Sequence, residues 1–332
     1  MTIRTNLVQT VAFSLVAMTV GASSAYAADD GSDFPKQQPI KLIVGYPAGG
    51  STDLNGRLLG KALAERLGQT VVVENLGGAG GAIAAQKVVN EPANGYSLLV
   101  GAVNEVVIAQ LVNPSVKYDG LKDFTAIGLI GSQPLLLAAS KDSKIGGMDD
   151  YINMTKQGDS ASYNFGSSGV GTALHLTGEM INTATKAEVQ HIPYRGVSPL
   201  VTDMLSGQLD FGVFGLSSGL PHVQSGAISA IGITSDERSS IAPDIPALSE
   251  NPIFKDLNVS LWFGLFGPAN MPEAVVAKLK TALNDVVQDQ AFQEEYKRTG
   301  GTVISNPVNM KEFLQQEQAT YKQAVQQANI GR

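Results

Sequence analysis

From Ile40 onward the chain alternates short apolar runs with stretches whose apolar residues recur every three or four positions. Residues 40–44 read as a buried strand. Over 53–67, Leu54, Leu58, Leu59, Ala62, Leu63 and Leu67 fall on one helical face, and Gly68 ends the helix. Strands are predicted at 71–74 and 96–101, with a helix after Gly81 through Ile83, Ala84, Val88 and Val89. This alternation implies a parallel sheet covered by helices. Residues 124–139 are almost wholly apolar, interrupted by Pro134, and read as one long strand that leaves the first unit for a second. The alternation then resumes, with strands at 162–165, 189–193, 209–214 and 227–234 and helices at 172–183 and 198–206. Ser198 is the expected N-cap of the second of these helices, with Pro199 in its first turn. Residues 260–266 read as a return strand, and 273–287 and 310–328 as amphipathic helices docked back on the first unit. The expected fold is α/β: two parallel-sheet domains joined by two crossover strands, with a cleft between them. Domain 1 is expected to span 28–132 and 256–332, its first twelve or so residues a polar tether, and domain 2 to span 133–255.

Ahead of this pattern stand Arg4, an apolar run over 7–20 and Ala25-Tyr26-Ala27. Together they read as a signal peptide over 1–27, cleaved after Ala27. No later stretch is apolar for the ~20 residues that a membrane span needs, so an exported chain without membrane insertion is expected. Cysteine is absent, which removes disulfides, thiolate nucleophiles and cysteine metal sites. The formal net charge is −7, one unit more negative without Arg4. That balance disfavours nucleic acid and anionic membrane surfaces, and an anionic ligand would have to be held by local dipoles.

Two glycine-rich turns offer such dipoles, each leading from an apolar strand into a helix. The first runs Gly45-Tyr46-Pro47-Ala48-Gly49-Gly50-Ser51-Thr52-Asp53 and the second Gly166-Ser167-Ser168-Gly169-Val170-Gly171-Thr172. The first turn of a helix leaves N–H groups unpaired and carries partial positive charge, and glycine lets an anion approach that backbone. Gly45 and Gly50 have phosphate-loop spacing, but Ser51 stands where that loop needs lysine, which argues against nucleotides. The candidate ligand-binding residues are Tyr46, Gly49, Gly50, Ser51, Thr52 and Asp53 on one side, and Ser167, Ser168, Gly169, Gly171 and Thr172 on the other. His175 and Glu179 are spaced i, i+4 and could begin a metal site. With only three histidines, His175, His191 and His222, no third ligand is evident. No metal or cofactor is expected, and His175 reads as an interhelix hydrogen-bonding residue. No G-x-S-x-G elbow occurs, and no catalytic residue is assigned.

Further segments follow in order: Val73-Glu74-Asn75, Gly77-Gly78-Ala79-Gly80-Gly81, Asn94-Gly95-Tyr96, His175, His191-x-Pro193-Tyr194-Arg195-Gly196 and Trp262-Phe263-Gly264. With the two turns, these make the chain resemble the Bug family, the substrate-binding proteins of tripartite tricarboxylate transporters, over essentially all of its mature length. The resemblance implies a periplasmic binding protein of type II-like architecture. Such a receptor closes over a small carboxylate between the two turns and hands it to the transporter's membrane subunits. A monomer is expected. The alternatives are a receptor that presents its ligand to a signalling partner, and a periplasmic lyase or hydrolase using Ser167 or His175.

Many members carry an aspartate after the strand at 209–213, where it can meet an amino group. Phe214 stands there in this chain; it reads either as plain core packing or as the wall of an apolar ligand body, and the second reading suits an acid lacking an amino group. Glu105 would repel a second carboxylate unless protonated or turned outward, and reads first as a solvated loop residue. Arg195 is expected to pair with a surface acid or to contact the ligand. Trp262 is expected in the core of the return strand or, from its hinge position, near the cleft.

Overall fold

A computed structural model describes residues 33–158, 160–255, 257–304, 308–328 and 330. The expected signal peptide, its cleavage site and the start of the tether lie outside the described residues. In the first lobe β1 (Ile40–Val44), β2 (Val71–Asn75) and β3 (Ser97–Ala102) run parallel in the order β2-β1-β3. Helices α1 (Ser51–Leu67) and α2 (Ala82–Val89) connect them. β1 and β3 are apolar almost throughout because both faces are covered. α1 ends as its sequence indicates, at a left-handed Gly68 whose N–H donates to Ala64 O. A π-helical turn over Asn104–Ile108 and α3 (Ala109–Val112) follow β3.

β4 (Phe124–Ser140) is the long strand read from the sequence. The second lobe follows with α4 (Met148–Lys156), β5 (Asn164–Ser167), α5 (Ala173–Thr185), β6 (Gln190–Pro193), α6 (Val197–Leu205), β7 (Phe211–Gly215), α7 (Leu216–Gln224) and β8 (Ile228–Ile233). β9 (Ser260–Pro268) returns, and α8 (Glu273–Gln288), α9 (Gln290–Arg298), β10 (Thr302–Val303) and α10 (Met310–Gln327) complete the chain. The short α4, α7 and α9 were not legible in the sequence: α7 contains Pro221, and α9 has only Phe292 and Tyr296 buried.

β4 pairs antiparallel with β9 from Phe124↔Pro268 to Pro134↔Ser260. It then changes partners, meeting β7 from Leu135↔Gly215 to Ala139↔Phe211 and β8 over its last residues. One hydrogen-bonded sheet thus runs β2-β1-β3-β9-β4-β7-β5-β6 through both lobes. Each lobe keeps the expected parallel trio, and the two expected crossover strands, β4 and β9, join it antiparallel. The reason is geometric: one crossover strand leaves and the other returns.

The handover sits at Pro134, which has no N–H to give. Beside it, Leu135 N–H donates to Thr234 Oγ1 (2.9 Å), and Thr234 Oγ1 donates to Val259 O (2.5 Å). Thr234 N–H donates to Leu135 O (2.9 Å). A single buried hydroxyl therefore ties three passages of the chain between the lobes. Thr234→Val keeps the shape but strands the Leu135 donor and the Val259 acceptor. It is expected to cost about 2 kcal/mol in denaturant unfolding; a loss under roughly 0.5 kcal/mol would mean that the tie is dispensable.

Candidate functional site

The strand ends of both lobes that lead into helices point at one cleft, the usual place for a ligand in an α/β protein. In the first turn Gly49 takes φ +88, and its N–H donates to Asp53 Oδ2 (2.9 Å). Asp53 Oδ1 accepts from Asn75 Nδ2 (2.9 Å), which also donates to Tyr46 O, and Arg57 pairs with the same carboxylate. Burial alone would raise the Asp53 pKa; the bonds from Arg57, Gly49 and Asn75 outweigh it and hold the carboxyl below its ordinary range. Asp53, expected at the ligand, is spent on the shape of the turn.

The second turn is braced from within. Thr172 caps α5, its Oγ1 donating to Gly169 O (2.9 Å) and accepting from His175 N–H (3.4 Å). Gly171 N–H donates to His175 Nδ1 (3.0 Å). The interhelix role expected of His175 is thus corrected: the ring folds back on the turn that precedes its own helix.

The two lobes touch through polar bonds. Asn104 Oδ1 accepts Ala173 N–H (2.8 Å) at the start of α5, and its Nδ2 donates to Tyr46 OH (2.7 Å), which donates to Gly80 O (2.8 Å). Ser217 Oγ donates to Ser51 Oγ (2.8 Å), which donates to Ser218 Oγ (3.2 Å). Ser198 Oγ donates to Ala48 O (2.8 Å). Ser198 is therefore not the expected N-cap; α6 starts after Gly196, and the serine crosses the cleft instead.

Between the lobes lie two cavities that share Tyr46, Asn104 and Ser168. The inner one, about 20 Å³, has room for one water-sized group. Gly50, Ser51 and Thr52 reach it from the start of α1, Leu174 from α5, Val197 from α6 and Gly215 from the end of β7, where it caps α7. Four helix N-termini thus converge on a space lined by no charged side chain, where their dipoles favour an anion. The outer cavity, about 370 Å³, is walled by Gly78, Ala79 and Gly80, by Gly169, Val170 and Gly171, and by Asn113, Tyr194 and Arg195 among others. Among the described residues Arg195 is the one charged side chain lining either cavity. It has no ion-pair partner among the described residues, so the surface pairing expected of it does not form.

The remaining candidates are placed elsewhere. Ser167 is fully buried behind the turn, its Oγ 2.7 Å from His191 Nε2. Phe214 is fully buried in the core of the second lobe, its ring folded over Gly212. The strand continues to Gly215, and side chains alternate faces along it, so the cleft receives Gly215, Ser217 and Ser218 in place of Phe214. Trp262 packs on Phe313 of α10 and donates Nε1–H to Glu317 Oε2 (2.6 Å), away from the cleft. Glu105 is not a solvated loop residue: it is wholly buried, and burial lifts its pKa to about 8.

Sequence reading missed Asn104, the Gly78–Gly80 backbone and Ser217 and Ser218. All lie at strand ends facing the cleft, and applying that rule to every predicted strand would have found them.

Similarity to known proteins runs the length of the chain. The profile of the TctC family, described as the tripartite tricarboxylate transporter family receptor, matches residues 56–330. BugT of Bordetella pertussis is 31% identical over 300 residues, 89% of this chain and 91% of that protein. The periplasmic binding protein BugD superposes with a TM-score of 0.84 at 29% identity, over 89% of this chain and 99% of that one. A protein of R. palustris solved with adipate gives 0.84 at 26% identity, over 90% and 99%.

Proposed function

The chain belongs to the tripartite tricarboxylate transporter family of receptors, and on that footing we propose that it is a periplasmic receptor for a small organic dicarboxylate, captured by closure of its two lobes. Membership makes it a solute-binding receptor and not an enzyme. The single observation carrying the dicarboxylate reading is the uncharged inner cavity ringed by four helix N-termini, with Arg195 alone in the outer cavity. One oxygen of the first carboxylate fits the inner cavity and its dipoles, the rest of the ligand lies in the outer cavity, and the second carboxylate meets the guanidinium there. Gly50, Ser51, Thr52 and Ser168 are the residues assigned to the first, with Gly169, Gly171 and Tyr46 along the ligand body. Adipate in the R. palustris relative supports the length and charge of such a ligand. Asp53 and Glu105 are both withdrawn from the cleft, so no acid waits for an amino group. This supports the expected amine-free acid, although not for the reason that Phe214 suggested.

Domain boundaries at 28–132 with 256–332, and at 133–255, are supported by the change of partners along β4 after Pro134. Export through cleavage after Ala27, and delivery to the membrane subunits of a tripartite transporter, complete the proposal. Among the described residues no helix is long and apolar enough to cross a membrane.

Thermal-shift measurement with succinate and adipate against butyrate and hexanoate tests the ligand class, since a bound acid raises the melting temperature by mass action. At least one diacid should stabilise far more than its monoacid counterpart. Arg195→Gln should weaken the diacid by roughly tenfold and leave the monoacid almost unchanged. Equal effects on both acids would remove Arg195 from the site.

A further inference from the structure

Beneath the second turn lie two imidazoles that ligand capture, as described above, does not use. His175 in α5 and His191 in β6 stack with centroids 3.6 Å apart and planes 14° from parallel. Phe165 of β5 lies 4.9 Å from the His191 ring. Each imidazole holds one residue of the turn. Ser167 Oγ donates to Gly169 O (3.1 Å) and accepts Gly169 N–H (3.2 Å). The hydroxyl also meets His191 Nε2 at 2.7 Å, a contact whose donor is set by the tautomer of the ring. His175 Nδ1 accepts Gly171 N–H (3.0 Å), so the His175 proton sits on Nε2, which lies 3.6 Å from Glu179 Oε1.

We propose that His175 and His191 are positioning residues for the second turn, and that proton uptake at His175 releases Gly171, so that the turn is shaped for an acid only while both rings are neutral. A proton on Nδ1 would set two N–H groups against each other in place of the bond to Gly171. Two imidazolium rings at the observed stacking distance would repel strongly in a site screened from water. Burial, and then the neighbouring His175, depress the His191 pKa to about 3, so His191 stays neutral over the range tested. Glu179, on α5 itself, is the charged group facing the pair. β7, α4, α10 and Pro252–Phe254 also pack on α5, and among the described residues none places a charged side chain in hydrogen-bond or ion-pair reach of either ring.

The consequence for binding rests on the carboxylate reading, whereas the hydrogen bonding can be tested with no acid present. Nitrogen-15 spectra of the unliganded full chain, amide and imidazole, would be followed from about pH 8 to pH 5, across the ordinary histidine range. The expected result is an upfield shift of the Gly171 amide proton in step with the His175 ring nitrogens, with the Ser168 and Gly169 amides following. His175→Asn keeps an acceptor near the place of Nδ1 and takes no proton, so its Gly171 signal should stay fixed. His175→Phe should show the acid-like signal at every pH. A Gly171 signal that ignores the titration of His175 in the wild type overturns the proposal, whatever the variants do. With adipate as probe, affinity should fall roughly tenfold over that range in the wild type and less than about twofold in His175→Asn. Equal adipate affinity at both ends in the wild type would also overturn it. Adipate binding at neither end would count against the ligand reading and leave the amide result to decide this one.

Discussion

Glu105→Gln will outlast the wild type by a margin that grows with pH, from little at about pH 5 to on the order of 3 kcal/mol at about pH 8. Glu105 is the second residue of the π-helical turn after β3 and is wholly buried. Its carboxyl oxygens find no hydrogen-bond partner of good geometry, and lie against the space beside Gly45 and Gly81 where a Cβ would stand. Burial dominates, backbone groups of Glu105 and Ala102 offset it only in part, and the pKa rises to about 8. In the unfolded chain the same carboxyl ionises near its ordinary value of 4.5. Between those two values the folded state holds a proton that the unfolded state has lost. Stability therefore falls as pH rises through this window, and the loss is complete above the folded value. Glutamine does not titrate, so the variant escapes it. His191 acts in the opposite sense: its pKa is depressed to about 3, so its share of stability is full above the ordinary histidine value and is lost as pH falls toward 3. Subtracting wild type from variant at each pH isolates Glu105. Parallel denaturation curves across the window would show that the carboxyl is paired or solvated in solution.

Gly171→Ala is expected to cost about a hundredfold in ligand affinity, near 2.7 kcal/mol, while lowering stability by only about 1 kcal/mol. The residue takes φ +72, and a Cβ there would lie 2.3 Å from Val112 Cγ2. Gly171 belongs to the second lobe and Val112 to the first, so the methyl group is a wedge across the cleft. Left-handed strain accounts for the modest loss of stability; the overlap is relieved by parting the lobes, and that is paid in affinity. Gly226→Ala is the control, because Gly226 has φ +73 with nothing within 4 Å of the added carbon. It should show the strain and keep the affinity. Calorimetry with the acid selected by the thermal-shift screen separates the two. Undiminished affinity in Gly171→Ala would mean that Val112 yields locally and that closure is not limited there.

Much of the architecture is legible in one dimension because it rests on local periodicity. The spacing of Leu59 and Leu63, the left-handed Gly68 and the apolar run of β4 each reports its own element. The two glycine-rich turns are legible for the same reason: a helix start leaves donors unpaired wherever it lies. Misjudged residues are those whose role depends on a partner far along the chain. The ligand-wall reading of Phe214 went astray through a shift of one residue at a strand end, which reverses the face of a side chain. Asn104 and Glu105 are neighbours in sequence, yet one bridges the lobes and the other is sealed behind Gly45 and Gly81. Nothing local separates them, since the π-helical turn that aims them apart forms against the rest of the lobe.

The amino-acid sequence by itself determined the alternating α/β elements, the long crossover strand, the absence of thiol chemistry and the two turns able to receive an acid group, because each follows from backbone preference or side-chain chemistry within a few residues. Only the tertiary structure decided that four helix N-termini meet at one uncharged cavity, that among the described residues Arg195 brings the charge to the outer cavity, and that Asp53, Glu105 and Phe214 are turned away from both. Those outcomes depend on which lobe faces which, and on burial, which belongs to the folded chain and to no segment of it.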